Sequence, residues 1–247
     1  YDIVGGVIGQ YYKGDNASFS TNDIMFCGNT ANVTSDNGYL GGVIGQVNGA
    51  EHGHETGPNN MVVYIRYCYN RGEISVTGNG VGHAAGGISG MNFGARIEFC
   101  YNIADVTSYG LGGGIGHFYW TVGNSNVGAY NCYSVGGVSR GSTPVCIGGV
   151  LTQLGNTYRF ANNLWVRTGG MAGNGQECVA GVSSSLGGQD CQTTASTLRT
   201  TAIRWTRSSE STTGWPSDIP TFPTNRRPFV TDTSGINGGY PILWWER

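Results

Sequence analysis

The residues best suited to bind a metal ion lie together between positions 51 and 55. Glu51, His52, His54 and Glu55 place two imidazoles and two carboxylates in one short segment, and such nitrogen and oxygen ligands bind divalent transition metals. A His-x-His pair on a loop brings no preformed third ligand. The sequence therefore predicts a metal site here, with a solvated polar loop as the alternative. We expect no cofactor.

Aromatic side chains that could stack on a sugar ring follow a repeated glycine-rich element. They are Tyr11, Tyr12, Phe93, Tyr119 and Trp120. Tyr and Trp rings combine a flat apolar face with a polar edge, and variable loops on one side of a regular scaffold are a common place for binding. We therefore expect a ligand-binding strip for glycans, with packing of these rings onto the scaffold as the alternative.

Catalytic chemistry has weaker support. Glu73 and Asp105 occupy equivalent positions in successive repeats, where carboxylates about 5 Å apart could act as acid and nucleophile on a glycoside. The same position holds Asn32 and Gly137 in other repeats, which is typical of an exposed polar corner. No serine or cysteine has the sequence context of a nucleophile. We therefore expect no catalytic residues and no enzyme.

An internal repeat positions these side chains. The glycine-rich element has copies at 5–10 (GGVIGQ), 41–46 (GGVIGQ), 86–91 (GGISGM), 112–117 (GGGIGH) and 148–153 (GGVLTQ). A cysteine-containing element has copies at 24–29, 65–70, 97–102 and 129–134, with a degraded copy at 161–165. Self-similarity of this kind is the signature of a repeat architecture.

The interval between copies predicts the fold. Cys68, Cys100, Cys132 and Leu164 follow one another at 32 residues, and Cys27 precedes Cys68 by 41. Short β-branched segments between Gly, Asn and Ser, without a 3.6-residue apolar period, are typical of strands. Such repeats bury their apolar sides by stacking. We expect an all-β chain, a right-handed parallel β-solenoid (β-helix) of about five to six rungs over residues 1–186. A β-propeller, with blades of about 40–50 residues, is the alternative.

Stacking of equivalent residues predicts ladders along the axis. One structural ladder consists of Cys27, Cys68, Cys100 and Cys132. A rung spacing of about 4.8 Å permits either buried free thiols or disulfides between adjacent rungs. A second ladder consists of Asn29, Asn70 and Asn102, whose amides would bond along the axis at a corner. Arg66 and Glu98 would form an exposed ion pair between two rungs, contributing about 0–1 kcal/mol.

The two ends of the chain differ from the repeat. Residues 187–247 are rich in Ser and Thr, include a possible helix at 195–205 and finish with several aromatic side chains. We expect them to form a C-terminal cap that packs on the last rung, since exposed strand edges are usually covered. The sequence begins directly on a repeat strand. The N-terminal rung is therefore expected to be covered by further repeats or by another copy of the chain.

Composition excludes several classes of protein. The chain has 44 glycines in 247 residues but only 7 prolines, and it lacks the Gly-X-Y period of collagen. Charged residues make up 11 % and the net charge is -2, which gives no electrostatic basis for binding nucleic acid. No apolar run reaches the length of about 18 residues expected of a membrane span.

The two repeated elements together resemble the bacterial GLUG repeat, which occurs in large secreted surface proteins, some of them attached to IgA-type proteases. The segment 237–246 (NGGYPILWWE) is similar to the end of such arrays. The resemblance implies an extracellular or cell-surface location but no specific ligand. As partner we expect a host or cell-surface glycan or protein. We expect a non-catalytic module for adhesion, ligand presentation or spacing. A subunit of a fibre assembled end to end through the N-terminal rung is the first alternative, and a polysaccharide-active β-helix enzyme is the second.

Overall fold

The computed structural model describes residues 2–12, 22–48, 63–80, 82–119, 127–140, 146–148, 151–154, 159–166, 179–180, 193–204 and 227–247. These residues form mostly short strands. In the C-terminal segment they form the helix α1, Ala195–Thr201, and single turns of 3-10 helix at Ala202–Arg204 and Trp244–Glu246. No described helix is long and apolar enough to span a bilayer.

Five parallel sheets are built from the repeated strands of the described residues. Sheet I contains β1 Ile3–Gly5, β6 Tyr39–Gly41, β11 Ala84–Gly86, β16 Leu111–Gly113 and β21 Cys146–Gly148. Sheet II contains β2 Ile8–Tyr12, β7 Ile44–Asn48, β12 Ser89–Phe93, β17 Gly116–Tyr119, β22 Leu151–Leu154 and β25 Val179–Ala180. Sheet III contains β3 Asn22–Met25, β8 Val63–Arg66, β13 Ala95–Glu98, β18 Gly128–Tyr130 and β23 Arg159–Ala161.

The two remaining parallel sheets are made of the shortest strands. Sheet IV contains β4 Gly28–Asn29, β9 Tyr69–Asn70, β14 Tyr101–Asn102, β19 Tyr133–Ser134 and β24 Leu164–Trp165. Sheet V contains β5 Val33–Ser35, β10 Ile74–Val76, β15 Val106–Ser108 and β20 Val138–Arg140. An antiparallel pair in the C-terminal segment joins β26 Phe229–Val230 to β27 Ile242–Leu243.

Each of the first four repeats contributes one strand to each parallel sheet, and we call the strands of one pass through sheets I to V a layer. In sheet III, Ile65 pairs in parallel with Ile24 on one side and Ile97 on the other. Ile74 pairs with Val33 and Val106 in sheet V in the same way. These partners are separated by the predicted 41 and 32 residues. The prediction of an all-β chain with parallel pairing between repeats is confirmed.

The glycine-rich element and the asparagine ladder fit against each other. A Cβ on Gly42 would lie 2.1 Å from the carbonyl oxygen of Gly87 and 2.4 Å from Cγ of Asn70. A Cβ on Gly41 would lie 1.9 Å from the carbonyl oxygen of Ile44. Only glycine has no side chain to place in these gaps. The paired glycines therefore allow close contact between layers and with the buried amides.

Apolar side chains fill two clusters inside the stack. The larger cluster joins sheets II and III and includes Ile44, Ile65, Ile88, Ile97 and Phe118, which are all 0 % exposed. The second cluster joins sheets I and V and includes Val33, Leu40, Ile74, Val106 and Val138. Full burial of one such side chain stabilises by about 1.5–3 kcal/mol. Since each of the first four layers supplies members of both clusters, these layers bury one another.

Two details of the predicted register are wrong. Leu164 pairs with Tyr133, not with Cys132, so the last interval is 31 residues and Asn163 occupies the cysteine column. The side-chain oxygen of Asn163 accepts the Cys132 backbone N–H at 3.0 Å. In the glycine-rich element, Gly112 pairs with Ala85, so the fourth copy begins one residue later than predicted. The alignment of one repeat with the next is ambiguous where the motif is degraded, and also where three glycines follow one another.

The described part of the C-terminal segment lies along the side of the stack, which differs from the predicted cap on the last rung. Leu198, Phe229 and Leu243 pack on the outer side of sheet IV together with Tyr101 and Tyr133. The segment continues past several layers and brings Trp244 and Trp245 to Phe26 in the first layer. The physical reason is an apolar stripe of aromatic rings on this side, which has to be buried.

Candidate binding surface

The first layer, strands β1 to β5, presents an accessible surface of the described stack. Each of these strands is the end strand of its sheet, so one edge of each has no neighbouring strand in the described structure. On the other edge the backbone is paired: Val43 accepts N–H groups from Val7 at 3.2 Å and from Ile8 at 2.9 Å. A row of such edges is a template for pairing with another strand.

Side chains of the first layer are exposed where their equivalents in the next layer are buried. Val7 is 48 % exposed, whereas Val43 at the same motif position is fully buried. Phe26 is 40 % exposed and Tyr67 only 1 %. With Tyr12, at 57 %, the first layer holds three of the four exposed large apolar or aromatic side chains named for the described residues. An apolar surface of this kind is a feature of interaction sites.

The predicted aromatic strip is only partly exposed. Phe93 is 5 % exposed and its ring lies 5.4 Å from the half-buried ring of Tyr119. Tyr11 packs against the larger apolar cluster, and this burial raises the pKa of its hydroxyl. Tyr12 alone of these four is available to stack on a ligand, and Trp120 lies outside the described residues. The structure does not present the strip as one surface, because Tyr11 points into the core and Phe93 is covered by Met91 and Leu111.

The predicted metal ligands, Glu51, His52, His54 and Glu55, also lie outside the described residues, so the metal site stays a prediction. Among the residues that are described, no group of three His, Cys, Asp or Glu side chains is placed to hold a metal ion.

The two carboxylates considered for glycoside chemistry lie at exposed corners. Asp105 accepts the backbone N–H of Gly137 in the next layer at 2.7 Å. In an earlier layer, Asn32 accepts the backbone N–H of Glu73 at 3.0 Å. This column therefore caps backbone groups between layers, which is the polar corner that the sequence offered as the alternative.

The asparagine column forms a continuous amide ladder. The side-chain N–H of Asn29 donates to Asn70, and that of Asn70 donates to Asn102, both at 2.8 Å. Each amide also donates to the carbonyl two residues later in its own layer, for example Asn70 to Gly72 at 2.7 Å. Asn70 and Asn102 are fully buried. The ladder thus lies inside the stack and not at a solvated corner.

The cysteine column consists of four free thiols. Cys68, Cys100 and Cys132 are fully buried, whereas Cys27 in the first layer is partly exposed. Cys100 accepts the backbone N–H of Cys68 at 3.4 Å, which joins the two layers. Burial raises the pKa of Cys100 well above its ordinary value. The column therefore has one partly accessible thiol at its end and three buried thiols inside.

The predicted exposed ion pair is buried, which corrects the prediction. Nε of Arg66 donates to Glu98 at 2.7 Å, and Nε of Arg96 donates to the same carboxylate at 2.5 Å. The guanidinium groups of Arg66 and Arg96 lie over the rings of Tyr64 and Tyr130, at 3.8 and 4.1 Å. Removal of one partner from a buried pair costs about 3–5 kcal/mol. This network therefore holds layers together on the outside of sheet III.

No family model, curated protein or solved structure matches the chain. The resemblance to the GLUG repeat stays a prediction.

Sequence reasoning missed two columns of stacked rings on the outside of the stack. One column runs through Phe26, Tyr67 and Phe99, with ring centroids 5.6 and 5.7 Å apart. The residue before each cysteine has a positive φ, for example 57° at Phe26 and 54° at Tyr67. Bulky residues rarely adopt this conformation. It turns the chain sharply between sheets III and IV and points the rings outward, and the aromatic residue before Cys27, Cys68 and Cys100 was the available signal.

The second ring column anchors the C-terminal segment. The rings of Tyr101 and Tyr133 are stacked 5.1 Å apart. The hydroxyl of Tyr101 donates to the Glu246 carboxylate at 2.8 Å, and Arg71 forms an ion pair with the same carboxylate. Burial raises the pKa of both Tyr101 and Glu246. The polar groups on this side are engaged in contacts that fix the segment to the stack.

Proposed function

We propose that this chain is a right-handed parallel β-solenoid that serves as a non-catalytic module of an extracellular surface, related to GLUG-repeat proteins. The observation that supports this best is the like-on-like register: Ile24, Ile65 and Ile97 pair across three layers. Successive parallel strands joined within one sheet almost always follow a right-handed path. A propeller blade would instead pair neighbouring strands of the same repeat.

The described polar groups favour a scaffold over an enzyme. Asp105 caps a backbone group of the next layer, Glu98 binds two arginines, and Glu246 fixes the C-terminal segment. Each of these carboxylates has a structural partner. The rigidity that they add suits a module that presents or spaces a binding surface.

The buried thiols suit an oxidising compartment. Cys100 and Cys132 are fully buried, and structural buried cysteines are chemically inert. These two thiols would therefore persist outside the cell, where exposed cysteines are oxidised.

We expect Tyr12 to contribute to ligand binding by the first layer. Replacement by alanine in Tyr12→Ala should weaken retention on a responsive glycan of a glycan array by roughly tenfold, because a stacked ring contributes about 1 kcal/mol beyond its buried area. The matched control is Ile236→Ala, which removes a side chain that is 45 % exposed in the C-terminal segment. If Tyr12→Ala binds the glycan as well as the unaltered chain does, Tyr12 does not contribute to glycan binding.

The exposed apolar side chains of the first layer, Val7 at 48 % and Phe26 at 40 %, favour a second function, as a subunit of an extracellular fibre. Non-closing contacts between the ends of successive chains generate filaments. We expect the chain to associate with increasing concentration in sedimentation velocity, and Val7→Lys to abolish association by placing a charge on the first layer. Ile236→Lys is the control of equal charge. A chain that stays monomeric at its highest soluble concentration would contradict this function.

A further inference from the structure

Cys27 occupies a position that the other three described thiols of the column do not share. It is partly exposed in the first layer, whereas Cys68 directly beside it is fully buried. The pairing of Gly28 with Tyr69 sets the two cysteines opposite each other in adjacent layers. The Cys27 carbonyl accepts the Tyr69 backbone N–H at 3.0 Å, which fixes this register.

The geometry of the pair suits a disulfide. Neighbouring strands lie about 4.8 Å apart, and disulfides join residues whose Cα atoms are about 4.4–6.8 Å apart. The Cys27 thiol points to the Met25 carbonyl at 3.4 Å, and the Cys68 thiol points to the Arg66 carbonyl at 3.2 Å. Both side chains therefore leave the backbone in the same direction, and rotation of one side chain brings one sulfur towards the other.

The first layer also supplies the necessary freedom. In the described structure its strands have a neighbouring strand on one side only, and strands at the edge of a structure open locally at lower free energy than those at its centre. Between Cys68 and Cys100, both fully buried, no such opening is available without separation of inner layers.

We propose that Cys27 and Cys68 form a modification site, a dithiol that small-molecule disulfides oxidise to a disulfide between the first two layers, with Cys27 as the point of entry. This goes beyond the proposed function and does not depend on it.

The exchange proceeds in two steps and conserves atoms and electrons. The Cys27 thiolate attacks one sulfur of the small disulfide, which forms a mixed disulfide and releases one small thiolate. The Cys68 thiolate then attacks the Cys27 sulfur, which forms the bond between the layers and releases the second small thiolate. The protein loses two protons and two electrons, and the small disulfide is reduced to two thiols.

The test is oxidation of the full chain with oxidised glutathione at a pH of about 8.5, near the ordinary thiol pKa. Remaining thiols are then alkylated, and the chain is digested with trypsin without reduction. Cleavage after Lys13, Arg66 and Arg71 separates the two cysteines into peptides 14–66 and 67–71. We expect these two peptides to be recovered as one cross-linked species, which reductant divides, while the peptide 97–140 with Cys100 and Cys132 is recovered alkylated.

Two variants provide the controls. Cys27→Ser should eliminate the cross-link, and Cys132→Ser should leave its yield unchanged. A first cross-link between peptides 67–71 and 97–140, or a mixed disulfide on Cys27 that never resolves, would overturn the proposal. The mapping of the unaltered chain decides the question even where a variant folds poorly.

Discussion

Replacement of Gly45 by alanine is expected to lower the free energy of unfolding by about 3 kcal/mol or more. A Cβ at this position would lie 2.6 Å from the carbonyl oxygen of Gly9 and 2.7 Å from the backbone nitrogen of Val4. Both contacts are with backbone, which cannot move aside as a flexible side chain can. The first two layers would have to separate, and insertion of excess volume into a packed site costs about 1–3 kcal/mol before any pairing is lost.

The control uses the same position of the glycine-rich element in the first layer. A Cβ on Gly9 would meet only the carbonyl oxygen of Ile3, at 3.2 Å, so Gly9→Ala is expected to cost less than about 1 kcal/mol. Urea unfolding followed by circular dichroism compares the two variants. Equal losses of unfolding free energy in the two variants would show that any replacement of glycine in this element has the same cost. That result would contradict tight stacking of the first two layers.

The stacking of the repeats could be predicted because it depends only on spacing. Ile65 and Ile97 are equivalent by sequence, and a parallel pair places equivalent residues side by side. The same logic placed Asn70 beside Asn102. It holds wherever the motif is strong, since every layer repeats the same apolar and polar pattern.

The register could not be predicted where the motif weakens. The interval from Cys132 to Asn163 is one residue shorter than the others. The sequence does not reveal this, because the cysteine is replaced in this repeat and the apolar Leu164 suits the buried cysteine position as well as Asn163 does. Similarly, Gly112 and Gly113 are interchangeable by type. The difference between them is set by the pairing of Leu111 with Ala84, a contact between distant residues.

Burial on the outside of the stack was the least predictable property. Repetition shows that Arg66 and Glu98 are neighbours, but not that rings cover them. Repetition also places Phe93 on one side of its strand, but it does not show that Leu111 and Met91 pack against the Phe93 ring. These contacts join different sheets, and no periodic pattern records them. The expected binding strip was reduced to Tyr12 for this reason.

Replacement of Asn70 by alanine is expected to destabilise the chain by about 4 kcal/mol. The amide donates to Asn102 and Gly72 and accepts from Asn29, and all of these bonds lie inside the stack. Each buried polar group left without a partner costs about 1–3 kcal/mol, and the void adds to this. Because Asn29 keeps its bond to Ala31, part of the ladder survives and the loss stays below the full sum.

Asn32→Ala is the matched control, since it removes an asparagine that bridges two layers through a single hydrogen bond at an exposed corner. Water can replace the lost acceptor there, so we expect a cost of about 0.5–1 kcal/mol. A double-mutant cycle of Asn29→Ala with Asn70→Ala should give a coupling of about 1–2 kcal/mol, because the two amides share one bond. Equal costs for Asn70→Ala and Asn32→Ala, with no coupling to Asn29, would mean that the buried ladder adds nothing beyond an ordinary corner. The layers would then be held by apolar packing alone.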